Sequence, residues 1–439
     1  MSFAPYKVAL VALGCPKNTV ESEYMLGAFK AGGLTIVGDI NRADIIVVHT
    51  CSFIKAAKEE SERCVEQALS LKKTKDVKVF VTGCLPQLLK EEILKIFPLI
   101  DGYLGTGDLK KLPELFFGAA KSCADAAGGL NNSKNRLLSS PLPYAYLKIA
   151  EGCNHKCSFC IIPDLRGTYK SRTLNSLVEE AGALAQAGIK ELIIVAQDTS
   201  SFGIDLYNRF SLDKLLSKLS AVKSLKWIRL MYAYPSSVTD GLIDVIKEYA
   251  NICRYMDIPV QHASKKILSA MKRPVNSAAV IKKIKSKIPG ITLRTSFITG
   301  FPGETDKDAA ELVDFVKEGY FRFAGVFQYC DQEKAASSKL KGKVSQRIAA
   351  ARRILIENAQ YGVFKSEIDS LKNTEIEFMA ESCSKSDCGY AVKGRSAFHA
   401  PEIDGNIVVS HCSPLIAGNF YKAVIKGNNG YDIKALIKE

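Results

Sequence analysis

No apolar run in the chain approaches ~18 residues, which excludes a transmembrane helix. An export signal is also missing: Met1-Ser2-Phe3-Ala4-Pro5-Tyr6-Lys7 runs straight into a strand pattern. A cytoplasmic location, with no membrane partner, is the expectation. Without export, the thirteen cysteines point to metal ligation rather than disulfides. The usual zinc layout, two separated cysteine pairs, is not found either. Cys383 and Cys388 form a close pair with no second pair beside it, and they read as incidental, as do Cys64, Cys123, Cys253, Cys330 and Cys412.

The tightest cluster is Cys153-Asn154-His155-Lys156-Cys157-Ser158-Phe159-Cys160, a Cys-x3-Cys-x2-Cys loop after the strand-like run 144–150. Three soft sulfur ligands in so short a loop suit an iron–sulfur cluster or zinc. The only other ligand type close by is His155, inside the loop. On a cubane of four irons, three thiolates leave one iron open to chelate a small molecule.

The composition, 47% hydrophobic and 24% charged, is that of an ordinary globular chain, and 439 residues suggest about three domains. The net charge of +14 favours an anionic partner such as RNA or a ribonucleoprotein without naming one, and a solvated basic surface accounts for it equally.

In the first third, the apolar runs 7–13, 43–50 and 77–83 each lead to a cysteine: Cys15, Cys51 and Cys84. Runs of this kind suit strands buried on both faces of a parallel sheet. The helical patterns between them predict a doubly wound domain, with the first helix capped by Asn18 or Thr19, carrying Glu21 and Glu23 in its first turn, and stopping at Gly32-Gly33. Ligands in such sheets sit beyond the carboxyl ends of the strands, where all three cysteines fall, so a second three-thiolate site is expected. The alternative is that each cysteine is a small buried hydrophobe.

Residues 124–143 lack a clear period and read as a linker. Six strand patterns follow, 144–150, 191–196, 226–231, 255–260, 291–298 and 323–329, separated by helical ones, which predicts a partial (β/α) barrel with its site at the carboxyl ends of the strands. The Cys153 loop lies at that end. So do Gln197-Asp198-Thr199-Ser200, Gln261-His262, and Gly300-Phe301-Pro302-Gly303-Glu304-Thr305, with Arg294 inside the fifth strand. Gln197 and Arg294 are candidates to bind a cofactor. The glycine-rich segment reads as cofactor contact or as a turn into a helix, with Glu304 complementing the helix dipole. Arg166, Lys170 and Arg172 could meet an anionic substrate or be solvated.

A long helix is expected over 344–371, then short alternating runs of a small antiparallel β-barrel. From residue 374 that barrel has seven basic and eight acidic side chains, a net of −1. Near neutrality is a poor platform for RNA phosphates and suits a basic protein better. The expected architecture is thus an α/β multidomain chain: 1–123, 124–143 as linker, 144–372 and 373–439.

These three parts together resemble the methylthiotransferase family of radical S-adenosylmethionine enzymes over nearly the whole chain. Leu13-Gly14-Cys15-Pro16-Lys17-Asn18, Asp257-Ile258-Pro259-Val260-Gln261-His262-Ala263-Ser264, and Ala400-Pro401-Glu402-Ile403-Asp404-Gly405 after Gly394-Arg395 are similar to the ribosomal-protein branch. The tRNA branch typically has Gln-Met in place of Pro16-Lys17. Glu21 departs from the usual Asp. The resemblance implies two 4Fe-4S clusters, one held by Cys153, Cys157 and Cys160 with S-adenosylmethionine on its open iron, the other by Cys15, Cys51 and Cys84. Phe159 would pack near the adenine, the C-terminal barrel would be of TRAM type, and the family's other needs are an electron donor such as flavodoxin or ferredoxin and a sulfur source. The implied reaction is methylthiolation of the β-carbon of an aspartate in ribosomal small-subunit protein S-twelve. Methylthiolation of a tRNA adenosine, or a non-catalytic iron–sulfur RNA-binding protein, are the alternatives, and the acidic balance of the barrel argues against both.

Overall fold

The computed structural model describes residues 6–107, 109, 112–116, 136–139, 143–386 and 389–438. Cys123, Cys388 and residues 124–135 of the expected linker lie outside them.

The N-terminal sheet has five parallel strands in the order Thr35–Ile36, Lys7–Ala12, Ile45–Thr50, Lys78–Gly83 and Gly102–Leu104. The two short outer strands were not apparent in the hydrophobic pattern. Ile45–Thr50 is buried along its whole length, as its unbroken apolar run demands. Alternate residues enter different cores: Ile46 and Val48 pack with Val65 and Val79, while Ile45 and Val47 pack with Met25 and Phe29.

The first helix, Pro16–Ala31, begins earlier than expected: Cys15 is its N-cap and Pro16 occupies the first turn, where a missing N–H costs nothing. Asn18 does not cap it. Its amide donates to Leu13 O (2.9 Å) and Thr50 O (3.3 Å), tying two cysteine turns together. Nor do Glu21 and Glu23 face solvent at a first turn; both are buried.

The central sheet has six parallel strands in sequence order, Tyr144–Lys148, Glu191–Val195, Trp227–Leu230, Ile252–Asp257, Thr292–Thr299 and Phe323–Gln328, an open partial barrel. Leu147, Ile194, Ile228 and Leu293 pack against the covering helices. Among these, Leu174–Gln186 is capped by the Thr173 hydroxyl and Asp306–Lys317 by a Thr305/Asp308 capping box.

The opposite face of the sheet is covered by the rest of the chain. Tyr146, Ile193, Val195, Trp227 and Tyr255 pack with Val20 and Tyr24 of the first helix and with Met379 and Ala400 of the C-terminal region. Arg136, in the segment read as linker, is clamped between Glu23 and Glu180.

After the helix Gln346–Ser370, five strands close a barrel in the order Glu375–Ser386, Gly389–Arg395, Ile407–His411, Asp432–Ile437 and Phe420–Asn429. It is not wholly antiparallel: Ile407–His411 and Asp432–Ile437 run parallel. Ala400 and Asp404 are buried, and Asp404 accepts from Tyr255 Oη at 2.6 Å and pairs with Arg294 at 3.2 Å. Arg395 and Arg229 both pair with Glu191, all three buried. The barrel is thus joined to the central sheet through buried ions rather than hung on it as a separate module.

Candidate active site

A cavity of about 690 Å³ opens between the N-terminal and central sheets, at the carboxyl ends of both. It is lined by Cys15, Cys51 and Cys84 on one side and by Cys153, Cys157 and Cys160 on the other. All six are free thiols.

Glycine lets the N-terminal turns close on one another. Gly14 has φ +103°, and a Cβ there would lie 2.9 Å from Cys51 Cβ. Gly83 has φ +99°, and a Cβ there would lie 2.6 Å from Thr50 O. A side chain at either position would meet both a forbidden backbone region and a clash. Cys51 is fixed by Ser61, whose hydroxyl accepts from Cys51 N–H and donates to Cys51 O. Cys15 is the N-cap of the helix Pro16–Ala31, so the start of that helix carries it to the cavity.

Burial pushes the thiols of Cys84 and Cys153 up to about 11 and that of Cys160 up to about 12. Thiols held protonated by desolvation alone are deprotonated outright when iron binds them. Cations already stand beside the sulfurs: Arg166 Nη2 is 3.2 Å from Cys84 Sγ and Arg273 Nη1 is 3.8 Å from Cys157 Sγ. Two sets of three thiols on one cavity, each with a neighbouring guanidinium, have the donor chemistry that two anionic iron–sulfur clusters take.

His155 is engaged elsewhere. Its Nε2 lies 2.7 Å from Asp198 Oδ2, and its ring stacks on Tyr234 at 3.5 Å, with Arg273 on the same tyrosine. Asp198 is itself held by Ser200 and Ser201. These contacts tie the Cys153 loop to Asp198 and Tyr234.

Phe159 and Gln197 line the cavity; Arg294 does not. The Arg294 guanidinium is bound to Asp257 and Asp404, so its expected place at a cofactor is corrected to a contact between sheet and barrel. Gln197 donates to Glu151 through Nε2, and its Oε1 is buried without a partner among the described residues. Gln261 lines the cavity, whereas His262 turns into the interior. Gly300–Thr305 is a structural turn: the Glu304 carboxylate accepts from the backbone N–H of Gly300 and Phe301 and pairs with Arg352.

Arg166 and Arg172 are buried rather than solvated, and Lys170 is exposed. Arg166 meets Glu21, which also meets Lys148 and lies 3.3 Å from His49. Burial alone would raise the Glu21 carboxyl, but Arg166 and Lys148 hold it well below the usual range. Arg166, read in the sequence as able to meet an anionic substrate, lines the cavity; Lys17, Tyr232, Tyr234 and Arg273 line it too and were not singled out for it. For Tyr232 and Tyr234 a signal existed, since they follow the third central strand at the same end as Cys153.

Family models match this chain at residues 7–105 (the uncharacterized protein family UPF0004), 147–316 (the radical SAM superfamily) and 374–437 (the TRAM domain). A ribosomal protein uS12 methylthiotransferase RimO of Endomicrobium trichonymphae is 58% identical over 98% of both chains. The chain belongs to the RimO branch of the radical S-adenosylmethionine methylthiotransferases. A RimO of Desulforamulus reducens is 40% identical over 97% of this chain and 98% of its own. Among solved structures, the radical S-adenosylmethionine methyltransferase TsrM of Kitasatospora setae, with cobalamin and a 4Fe-4S cluster bound, covers 77% of this chain and 74% of its own at a TM-score of 0.56 and 15% identity, a likeness of fold. As a RimO-type chain the protein is a radical S-adenosylmethionine methylthiotransferase. Among its described residues no helix is long and apolar enough to cross a membrane.

Proposed function

We propose that the enzyme places a methylthio group on the β-carbon of an aspartate of ribosomal protein uS12. The observation that carries this reading is the convergence of six cysteines, from two sheets, on one cavity. Two 4Fe-4S clusters with S-adenosylmethionine supply a hydrogen-abstracting radical and a sulfur donor, chemistry no side-chain base can perform on an unactivated C–H bond.

The chain's residues hold and insulate. Cys153, Cys157 and Cys160 ligate one cluster and leave a position for S-adenosylmethionine. Phe159, from that loop, gives the cofactor an apolar wall backed by Met271 and Phe301. The unpartnered Gln197 Oε1 offers an acceptor to an ammonium or hydroxyl group of the cofactor. Cys15, Cys51 and Cys84 ligate the second cluster, with Arg166 donating to Cys84 Sγ. Electrons come from a donor such as flavodoxin or ferredoxin, and sulfur from a separate source, in the cytoplasm. The slightly acidic barrel faces the Lys- and Arg-rich ribosomal protein, an attraction that salt weakens. The segment 400–405 supports this only indirectly, since Ala400 and Asp404 are turned into the chain's own interior.

The test offers the anaerobically reconstituted enzyme uS12 and tRNA together, with reductant and sulfide, and reads both by mass spectrometry. A methylthio increment on a uS12 aspartate is expected. Methylthiolated tRNA with uS12 untouched overturns the reading.

A further inference from the structure

Three cations line the cavity, and two are engaged by the chain itself. Arg166 binds Glu21, Asn18 and Cys84. Arg273 binds Pro259 O, Cys157 Sγ and the Tyr234 ring. Lys17 differs: among the described residues its ammonium has no hydrogen-bond or carboxylate partner. It stands 3.8 Å from the centroid of the Tyr232 ring, two residues from Cys15, and both side chains line the cavity.

A cation–π contact fixes the position of an ammonium without using its N–H donors, of which three remain for a ligand. Tyr232 is placed there at a cost. Its φ is +57°, a left-handed conformation that a bulky residue adopts only under constraint. The constraint is visible: its N–H donates to Asp257 Oδ2 (3.3 Å) and its carbonyl accepts from Thr199 N–H (3.1 Å). Backbone strain, aromatic support and an ammonium without a hydrogen-bond or ion-pair partner among the described residues meet at one point in a largely apolar chamber lined with thiols.

An aspartate carries its carboxylate directly on the carbon to be modified. Entering this chamber, that carboxylate leaves water for a space next to sulfur ligands of like charge, and requires a cation there. We propose that Lys17, supported by Tyr232, is the receptor for the carboxylate of the substrate aspartate and selects aspartate over its amide. Anchoring the carboxylate fixes the β-carbon one bond away, in the space both cysteine triads line. This assignment rests on the reading of uS12 aspartate as substrate.

The test measures equilibrium binding of uS12 to the iron-loaded enzyme with S-adenosylmethionine and no reductant, so that nothing turns over. The probe is uS12 with the modified aspartate, found beforehand by mass spectrometry, or with that aspartate changed to asparagine. Wild type should prefer the aspartate form by about 30-fold, as expected for a desolvated charge pair. Lys17→Met should reduce the preference to about twofold or less at unchanged iron content, and Lys17→Arg should retain part of it. A Lys17→Met enzyme with full iron that keeps the wild-type preference overturns the assignment. If the Met variant loses iron, Lys17→Gln is read with the same two outcomes. A purely structural role for Lys17 would weaken both forms of uS12 alike and leave the ratio unmoved. Wild type that leaves uS12 unmodified defeats the functional reading; wild type that modifies it beside a Lys17 variant of undiminished preference defeats this assignment alone.

Discussion

Arg166 stands six residues beyond Cys160 of the central triad, yet its Nη2 lies 3.2 Å from Sγ of Cys84 in the N-terminal triad. Through Asn18 (2.8 Å) and Glu21 the same guanidinium reaches the first helix. One side chain therefore links the two cysteine sets. A charged donor on a ligand sulfur favours the reduced, more negative cluster.

Arg166→Met should lower the midpoint potential of the N-terminal cluster, leaving the central cluster's unchanged, in an EPR-monitored redox titration. It should also lower stability by about 3 kcal/mol, because Glu21 is left buried with less compensation. Arg166→Lys should recover part of the stability, since it restores charge without the planar fork. An unmoved potential in both variants would count against the link.

Iron content tests the two-cluster assignment separately. Wild type reconstituted anaerobically should hold about eight irons per chain, two clusters of four. Cys153, Cys157 and Cys160 changed together to Ala should leave about four, with the N-terminal cluster's spectrum intact. Replacing the incidental Cys383 and Cys388 with Ser should leave iron unchanged. Loss of all iron in the triple variant, or zinc in its place, would contradict two independent sites.

That the six cysteines share one cavity was legible because their signals are local: a short loop in one case, and the ends of three apolar strands in the other. The glycines and strands beside them carry the same information. What was not legible is which charge meets which. Arg294 looked like a cofactor residue because it sits in a strand of the barrel, but its partner Asp404 lies in another domain, and no periodicity announces such a pair. The start of the first helix was misplaced for a related reason. Asn18 is a good N-cap by type, but its amide is taken by Leu13 O and Thr50 O, and Pro16 was the better marker. Lys17 stood out in the sequence only as a resemblance to one branch; its position over Tyr232 is a tertiary fact.

The barrel's attachment gives a further test. Glu191 is buried with Arg229 and Arg395, and although burial would raise its carboxyl, the two guanidinium groups hold it below the usual value. Glu191→Ala leaves two buried cations, of which Arg395 keeps Glu381. A loss of about 3–5 kcal/mol is expected, read as a lower denaturant midpoint. Removing the chain after about residue 372 should be worse still, since it uncovers Trp227 and Tyr255 and takes Arg395 from Glu191 and Asp404 from Arg294. The truncated enzyme should aggregate rather than persist as a working two-domain form. Recovery of a soluble, fully iron-loaded truncation would show that these buried pairs are dispensable.

His262 gives a pH dependence whose sign follows from its burial. The ring is 1% exposed; Nδ1 accepts the Ser264 N–H at 3.0 Å, and Nε2 has no partner among the described residues. Burial, aided by Arg352 and Lys266 and opposed by Asp308, pushes its pKa down to about 4. The unfolded chain binds this proton near the ordinary value of about 6.5. As pH falls below that value the unfolded state gains a proton that the folded state refuses, so stability declines from about pH 6.5 and the loss levels off near 4. The difference between the two values is worth about 3 kcal/mol. His262→Asn keeps an acceptor for Ser264 but cannot titrate, and should remove that share of the acid slope. The single tryptophan, Trp227, is buried in the central sheet and reports its unfolding by fluorescence. Urea midpoints at pH 7.5 and 4.5 should therefore lie closer together in the variant than in wild type. Equal separation in the two proteins would mean that His262 is already charged in the folded chain.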